Sequence, residues 1–193
     1  MDGNNRWSKV NNIDKYKSYK KGANKLIEIT NYIFDNYKIN YVSAFALSKH
    51  NFKRGKMLIT MIENLLIDFL NQSREQKNIK YRVKFIGNLN FLPSKVIESL
   101  KKHERLNIKS KKILLIYLNY SGKDDIHRSI NFLSKFKKYN LKNFKNSLDT
   151  AKFPEPDMLI RSGGFKRLSD FMLYQLSFTE LFFLNKLWPD IKK

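Results

Sequence analysis

Four short stretches carry side chains suited to holding an anion: MDGNNRW at residues 1–7, SKHNFKR at 48–54, NYSGKDD at 119–125 and RSGGFKRLSD at 161–170. Arginine is the informative residue among them. Of 38 basic residues only eight are arginine, and four of those eight (Arg6, Arg54, Arg161 and Arg167) fall inside these clusters. A guanidinium presents a planar fork of donors that matches phosphate oxygens directionally, which a lysine point charge does not. The glycine pair Gly163-Gly164 and the serines beside the arginines let the backbone approach the same anion.

The formal charge of +21 and a pI near 10.0 would by themselves suggest nucleic acid or an anionic membrane. Most of that charge is scattered lysine, as in Lys20-Lys21, Lys101-Lys102 and Lys111-Lys112. Lysine, asparagine and isoleucine together are what an AT-rich coding sequence produces, so these pairs read as solvated surface and no nucleic-acid partner is expected. Cysteine is absent, which excludes a disulfide scaffold, a thiolate zinc site and a cysteine nucleophile, and suits a cytoplasmic location. His50, His103 and His127 lack metal-ligand spacing. Neither a signal-peptide apolar region in MDGNNRWSKV nor an uninterrupted run of roughly 18 apolar residues is present, so a soluble protein is expected.

The elements that must position the clusters follow from apolar periodicity. Leu26, Thr30, Ile33 and Tyr37 recur at helical spacing, and 39–47 then reads as a buried strand. Met57, Met61, Leu65, Leu66 and Phe69 mark the face of a second helix, followed by the strand YRVKFIGN. A helix over 94–105, the strand ILLIYLNY at 113–120, a helix carrying Ile126, Ile130, Leu133 and Phe136, and the strand DMLIRS complete the alternation. Strands alternating with helices predict an α/β fold, with a mainly parallel central sheet and helices on both faces. The polar clusters fall after the strands, where open parallel sheets bind ligands. No linker, repeat or low-complexity tract interrupts 1–193, so a single domain is expected.

MDGNNRW, SKHNFKR, NYSGKDDI and DMLIRSGGFKRLSDFMLYQLSFTELFFLNKLWPD, in this order, resemble the motifs of the cis-prenyltransferases, the isoprenyl transferase family that includes undecaprenyl diphosphate synthase. The likeness runs nearly the whole chain. It implies the cis condensation of isopentenyl diphosphate with an allylic diphosphate such as farnesyl diphosphate, giving a polyprenyl diphosphate such as undecaprenyl diphosphate. By resemblance, Asp2 is the catalytic aspartate and holds Mg2+ on the allylic diphosphate. Gly3, Asn4, Asn5 and Arg6 bind that diphosphate, and Trp7 covers the allylic chain. Arg161, Arg167, Leu168 and Ser169 correspond to the grip on isopentenyl diphosphate, and Glu180 completes the metal site across a homodimer interface. Asn51, with Ser48, Lys49, His50, Phe52 and Arg54 around it, occupies the place of the asparagine assigned to proton removal. An amide is not a base in water but can relay a proton to a diphosphate oxygen. The product is a lipid, which implies peripheral contact with a membrane.

Several positions depart from the family pattern. Lys15 and Tyr19 stand for an arginine and a histidine, while His50 and Phe165 each stand for a glutamate. Lys49 replaces a serine, Phe52 a tryptophan and Lys123 an arginine. The resemblance also implies a strand before MDGN and a helical tail after WPD, so the chain reads as a family domain shortened at both ends, with its first strand missing. Two other readings remain: a non-catalytic subunit supporting an active partner, favoured by His50, Phe165 and the missing strand, and a basic nucleic-acid-binding protein.

Overall fold

The computed structural model describes residues 1–75, 79–136 and 139–192, apart from the side chains of 52–54, 56 and 72–75. Its helices are α1 (Asn4–Val10), α2 (Lys15–Asn36), α3 (Lys56–Glu75), α4 (Ser94–His103), α5 (Gly122–Phe136) and α6 (Leu141–Ser147). Its strands are β1 (Tyr41–Ser48), β2 (Arg82–Ile86), β3 (Ile113–Tyr120), β4 (Met158–Arg161) and β5 (Glu180–Phe183), with short 3-10 turns at Lys49–Arg54 and Trp188–Asp190.

β3 is the apolar run of the sequence, and it lies between β1 and β2 in a parallel sheet ordered β1-β3-β2. Buried on both faces, it explains why that stretch reads as continuously apolar. Alternate residues enter different cores. Leu114, Ile116 and Leu118 join Ala44, Leu47 and Val83 beneath α2, α3 and α4, whose Leu26, Phe34, Leu58, Met61, Leu65, Leu66, Leu70, Val96 and Leu100 fill that side. Ile113, Leu115 and Tyr117 join Ile86 and Tyr120 on the other face, where Phe171, Met172 and Leu176 cover them. That covering comes from a turn-rich segment following β4, a role the sequence pattern did not announce.

β4 pairs in parallel with β5, Met158 opposite Glu180 and Arg161 opposite Phe183, in a separate two-stranded ladder. β5 was not expected from the sequence. α2 begins about three turns before the apolar pattern does, because the Asp14 side chain accepts from the Lys17 N–H (3.1 Å) and caps the helix. The N-terminal heptapeptide docks onto the second ladder. The Asp2 amide donates to Ser162 Oγ (3.0 Å), and the Trp188 N–H donates to the Asp2 carbonyl (2.9 Å).

Candidate active site

The polar clusters, separated in sequence by up to about 160 residues, join through consecutive contacts at the carboxyl ends of the strands. Arg161 leaves the end of β4 and donates from Nη2 to Asp2 Oδ2 (2.9 Å), and from Nη1 to Ser169 Oγ (2.7 Å) and to the Arg167 carbonyl. With its side chain only 13% exposed, its fork is held at both ends before any ligand arrives. Arg6, one turn into α1, donates to the Gly163 carbonyl (2.6 Å) and lies 3.6 Å from Asp2 Oδ1. Asp2 thus stands between two guanidiniums, one on each carboxylate oxygen.

Backbone shape makes this closeness achievable. Gly163 has φ 89°, and a Cβ there would meet the Arg6 Nη2 atom at 2.6 Å and Asp2 at 3.2 Å. Gly3, the residue preceding α1, has φ 104° and would clash with Leu187. Both glycines permit a left-handed turn and a close approach at once. Beyond them, Ser169, Asp170 and Met172 hold positive φ without being glycine (53°, 66° and 45°). Such strain persists only where surroundings enforce it. Here Phe171 and Met172 are buried, and Asp170 is anchored: its carboxylate accepts from Ser121 Oγ (2.5 Å) and the Lys123 N–H (3.0 Å), and its carbonyl from the Gly122 N–H (2.8 Å).

Asp170 also reaches the cluster after β1, since His50 Nε2 lies 3.9 Å from its Oδ2. Lys49 pairs with Asp124 at the first turn of α5. Ser48 closes β1 opposite Tyr120, just beyond a register irregularity that bends the strand end. Asn51 is half-buried in the following turn. The side chains of Phe52 and Arg54 lie outside the described residues. Contacts therefore run from Ser48–Asn51 through Asp124 and Asp170 to Ser169, Arg161 and Asp2.

Other expected site residues are placed differently. Trp7 is 6% exposed, with Nε1 donating to Asp190 (2.8 Å) and Lys21 over its ring at 4.1 Å, so it ties α1 to the C-terminal turn instead of facing an open chamber. Asn4 turns its side-chain oxygen against α2, where a Cβ on Gly22 would come within 2.2 Å, and its carbonyl accepts from Ser18. Asn5 is half-buried, its carbonyl accepting from Ser8. Lys15 and Tyr19 lie on the first turns of α2, with Tyr19 packed against the core. Leu168 packs against the second core and Arg167 is exposed.

Glu180 opens β5 while Asp2 sits beside the end of β4, so within one chain the two carboxylates lie toward opposite ends of a parallel ladder. Among the described residues no cluster of three or more acidic or histidine side chains forms a metal cage. Magnesium fits this donor set nevertheless, because it is commonly held by one or two carboxylates plus substrate phosphates. Asp2, one third exposed, offers such a carboxylate.

Two participants carried no distinct signal in the sequence, and a third, Phe165, is marked there only as standing for a glutamate. Ser162 holds Asp2 by main chain at both ends, its Oγ accepting from the amide and donating to the carbonyl (3.1 Å). Asp170 joins the clusters, and the Phe165 ring lies under three guanidiniums. A hydroxyl directly after the β4 arginine was the available hint for the first.

A parallel α/β sheet whose strand ends present tethered arginines around one carboxylate defines a site for phosphorylated substrates. The family model described as putative undecaprenyl diphosphate synthase matches residues 1–193, and the chain belongs to that isoprenyl transferase family. It is 37% identical to a tritrans,polycis-undecaprenyl-diphosphate synthase (geranylgeranyl-diphosphate specific) of Pyrobaculum aerophilum, over 100% of this chain and 85% of the relative. To an isoprenyl transferase of Thermotoga maritima it is 32% identical, over 100% and 86%. Among solved structures, lavandulyl diphosphate synthase from Lavandula x intermedia in complex with dimethylallyl diphosphate superposes with a TM-score of 0.88 at 27% identity, covering 100% of this chain and 87% of that one. A probable undecaprenyl diphosphate synthase from Campylobacter jejuni gives 0.78 at 28% identity, covering 89% and 83%.

Proposed function

We propose that this chain, acting as one catalytic domain, condenses isopentenyl diphosphate with an allylic diphosphate of the farnesyl type. The product is a cis-polyprenyl diphosphate such as undecaprenyl diphosphate. The observation that carries the reading is the Asp2–Arg161–Ser169 linkage, with Arg6 on the other oxygen of Asp2: two guanidiniums pre-placed around one carboxylate at strand ends.

Arg6 binds the allylic diphosphate; Arg161, Arg167 and Ser169 bind that of isopentenyl diphosphate. Holding both fixes the allylic C1 against the terminal alkene carbon, which removes most of the entropic part of the barrier. The C1–O bond breaks and its electron pair leaves with the diphosphate, where the arginines stabilise the growing charge. The alkene forms the new C–C bond, and a proton leaves C2 of the isopentenyl unit for a diphosphate oxygen, relayed by Asn51. Asp2 would hold Mg2+, which would supply further neutralisation of diphosphate charge. The growing chain lies along the apolar face where Met61 and Leu65 are buried and Phe85 and Phe91 pack beside them.

The far placement and exposure of Glu180 support its use by a second copy, so we propose a homodimer. Met158, Ile160, Leu181, Phe182 and Leu184, all exposed on or beside the β4–β5 ladder, supply apolar surface for that contact. We place the reaction in the cytoplasm, with peripheral membrane contact where the product leaves.

The test is incorporation of labelled isopentenyl diphosphate into butanol-extractable product with dimethylallyl, farnesyl or geranylgeranyl diphosphate, in Mg2+ and in EDTA. Metal-dependent incorporation with farnesyl diphosphate preferred supports the reading. A preference for geranylgeranyl diphosphate would correct the primer, and silence with all three would leave the non-catalytic subunit.

A further inference from the structure

Phe165 is the one aromatic side chain in the arginine-bearing turn after β4, and it is 41% exposed. The guanidinium carbons of Arg167, Arg6 and Arg161 lie over its ring at 4.4, 4.8 and 5.9 Å from the centroid. All three fall within the ~6 Å at which a cation is attracted to a ring face. Three guanidiniums this close repel one another, and Asp2 is the carboxylate paired with two of them. Among the described residues, Arg167 has no carboxylate partner.

A carboxylate at 165 would relieve the repulsion by accepting from the forks, and would occupy the N–H edges that phosphate oxygens need. An aromatic face attracts the same cations through their flat sides. It adds no acceptor to compete for their in-plane donors beyond those that Gly163, Ser169, the Arg167 carbonyl and Asp2 already supply to Arg6 and Arg161. The ring is thus within reach of arginines assigned to both diphosphate positions, Arg6 to one and Arg161 and Arg167 to the other.

We infer that Phe165 is a positioning residue for diphosphate binding: its ring holds Arg6, Arg161 and Arg167 as a preorganised cradle whose positive charge Asp2 offsets only in part. The inference rests on the prenyl-transfer reading. It makes tight diphosphate binding a property of the ring, available without a metal ion.

Calorimetric titration with inorganic pyrophosphate in EDTA tests this on the full chain, comparing wild type with Phe165→Leu, Phe165→Tyr and Phe165→Glu, each first checked for an unchanged melting transition. Leucine keeps bulk and loses the ring face, so binding should weaken roughly five- to thirtyfold. Tyrosine should restore it to within about twofold, and glutamate should bind more weakly than leucine. In turnover, Phe165→Leu should raise KM for isopentenyl diphosphate, whose position uses two of the three arginines, more than KM for the allylic substrate. A merely structural role would spare that difference and would not be rescued by tyrosine. The inference is overturned if leucine binds like wild type, if tyrosine is as weak as leucine, or if glutamate equals wild type. Should leucine fail to fold, Phe165→Met takes its place with the same expectations. A wild type that neither binds pyrophosphate nor incorporates isopentenyl diphosphate would bring down the functional reading as well. An active wild type with an unaltered Phe165→Leu would remove only the role of Phe165.

Discussion

The β1-β3-β2 sheet and the β4–β5 ladder are both parallel, yet they are held by different forces. The first is sealed between two apolar layers, with Val83 and Leu114 fully buried. The second keeps Met158, Ile160, Leu181 and Phe182 exposed and is fastened to the N-terminal segment by polar contacts: Arg161 to Asp2, Ser162 to the Asp2 backbone, Arg6 to Gly163. Side chains proposed to handle substrate are thus also the fasteners of their region. Damage there should register in binding and catalysis, and damage in the sealed sheet should register in stability.

The largest separation is expected from Arg161→Ala, which removes the fork on Ser169 and leaves Asp2 without its closest cation. A loss of about 10²–10³-fold in kcat/KM for isopentenyl diphosphate should accompany it, measured by initial rates; a loss below about tenfold would break the comparison. Leu114→Ala should do the opposite, costing ~2–5 kcal/mol of stability by cavity formation, seen in denaturant unfolding, with KM of the folded fraction kept. Gly163→Ala lies between, because φ 89° and the Arg6 contact oppose a methyl group. A stability cost of roughly 1–2 kcal/mol should appear together with raised KM for both diphosphates.

A smaller effect sharpens the contrast from the side of the core. Burial raises the pKa of Asp125 above its ordinary 3.8, against the lowering contributed by the Asp149 N–H, the Tyr120 hydroxyl and Arg128. Because the folded pKa is raised, the carboxyl favours folding most below pH ~3.8, and that contribution is lost as pH rises through the folded value. The destabilisation caused by Asp125→Asn should therefore shrink as pH is raised from 3 toward neutrality, in urea unfolding at several pH values. A gap that widened would reverse the sign of this account. Smallest is His50→Glu, placed 3.9 Å from Asp170 with most of the imidazole exposed. The added carboxylate should repel Asp170 and weaken substrate binding no more than severalfold, seen in KM and in product release.

The sequence made the sealed sheet readable because six consecutive apolar residues at 113–118 leave little choice but a doubly buried strand. β5 escaped notice because ELFF is only four residues long and largely exposed, so neither length nor alternation marked it. α6 buries none of its residues and left no apolar stripe. Within the site, residue types and order carried Asp2, Arg6, Arg161 and Ser169, which the structure joins. Trp7 and Asn4 show the limit: their types suit substrate binding, but Asp190 and Gly22 decide where their atoms point. The meeting of Phe165 with three arginines depends on a turn through left-handed residues, which no spacing rule encodes.

The central claim is that Asp2, held between Arg161 and Arg6, is where the reaction is organised. Single-turnover formation of the first condensation product in Mg2+, wild type against Asp2→Ala at saturating substrates, tests it most directly. The account predicts a fall of at least about 10²-fold in the bond-forming rate with the fold retained. A variant within about twofold of wild type would contradict it.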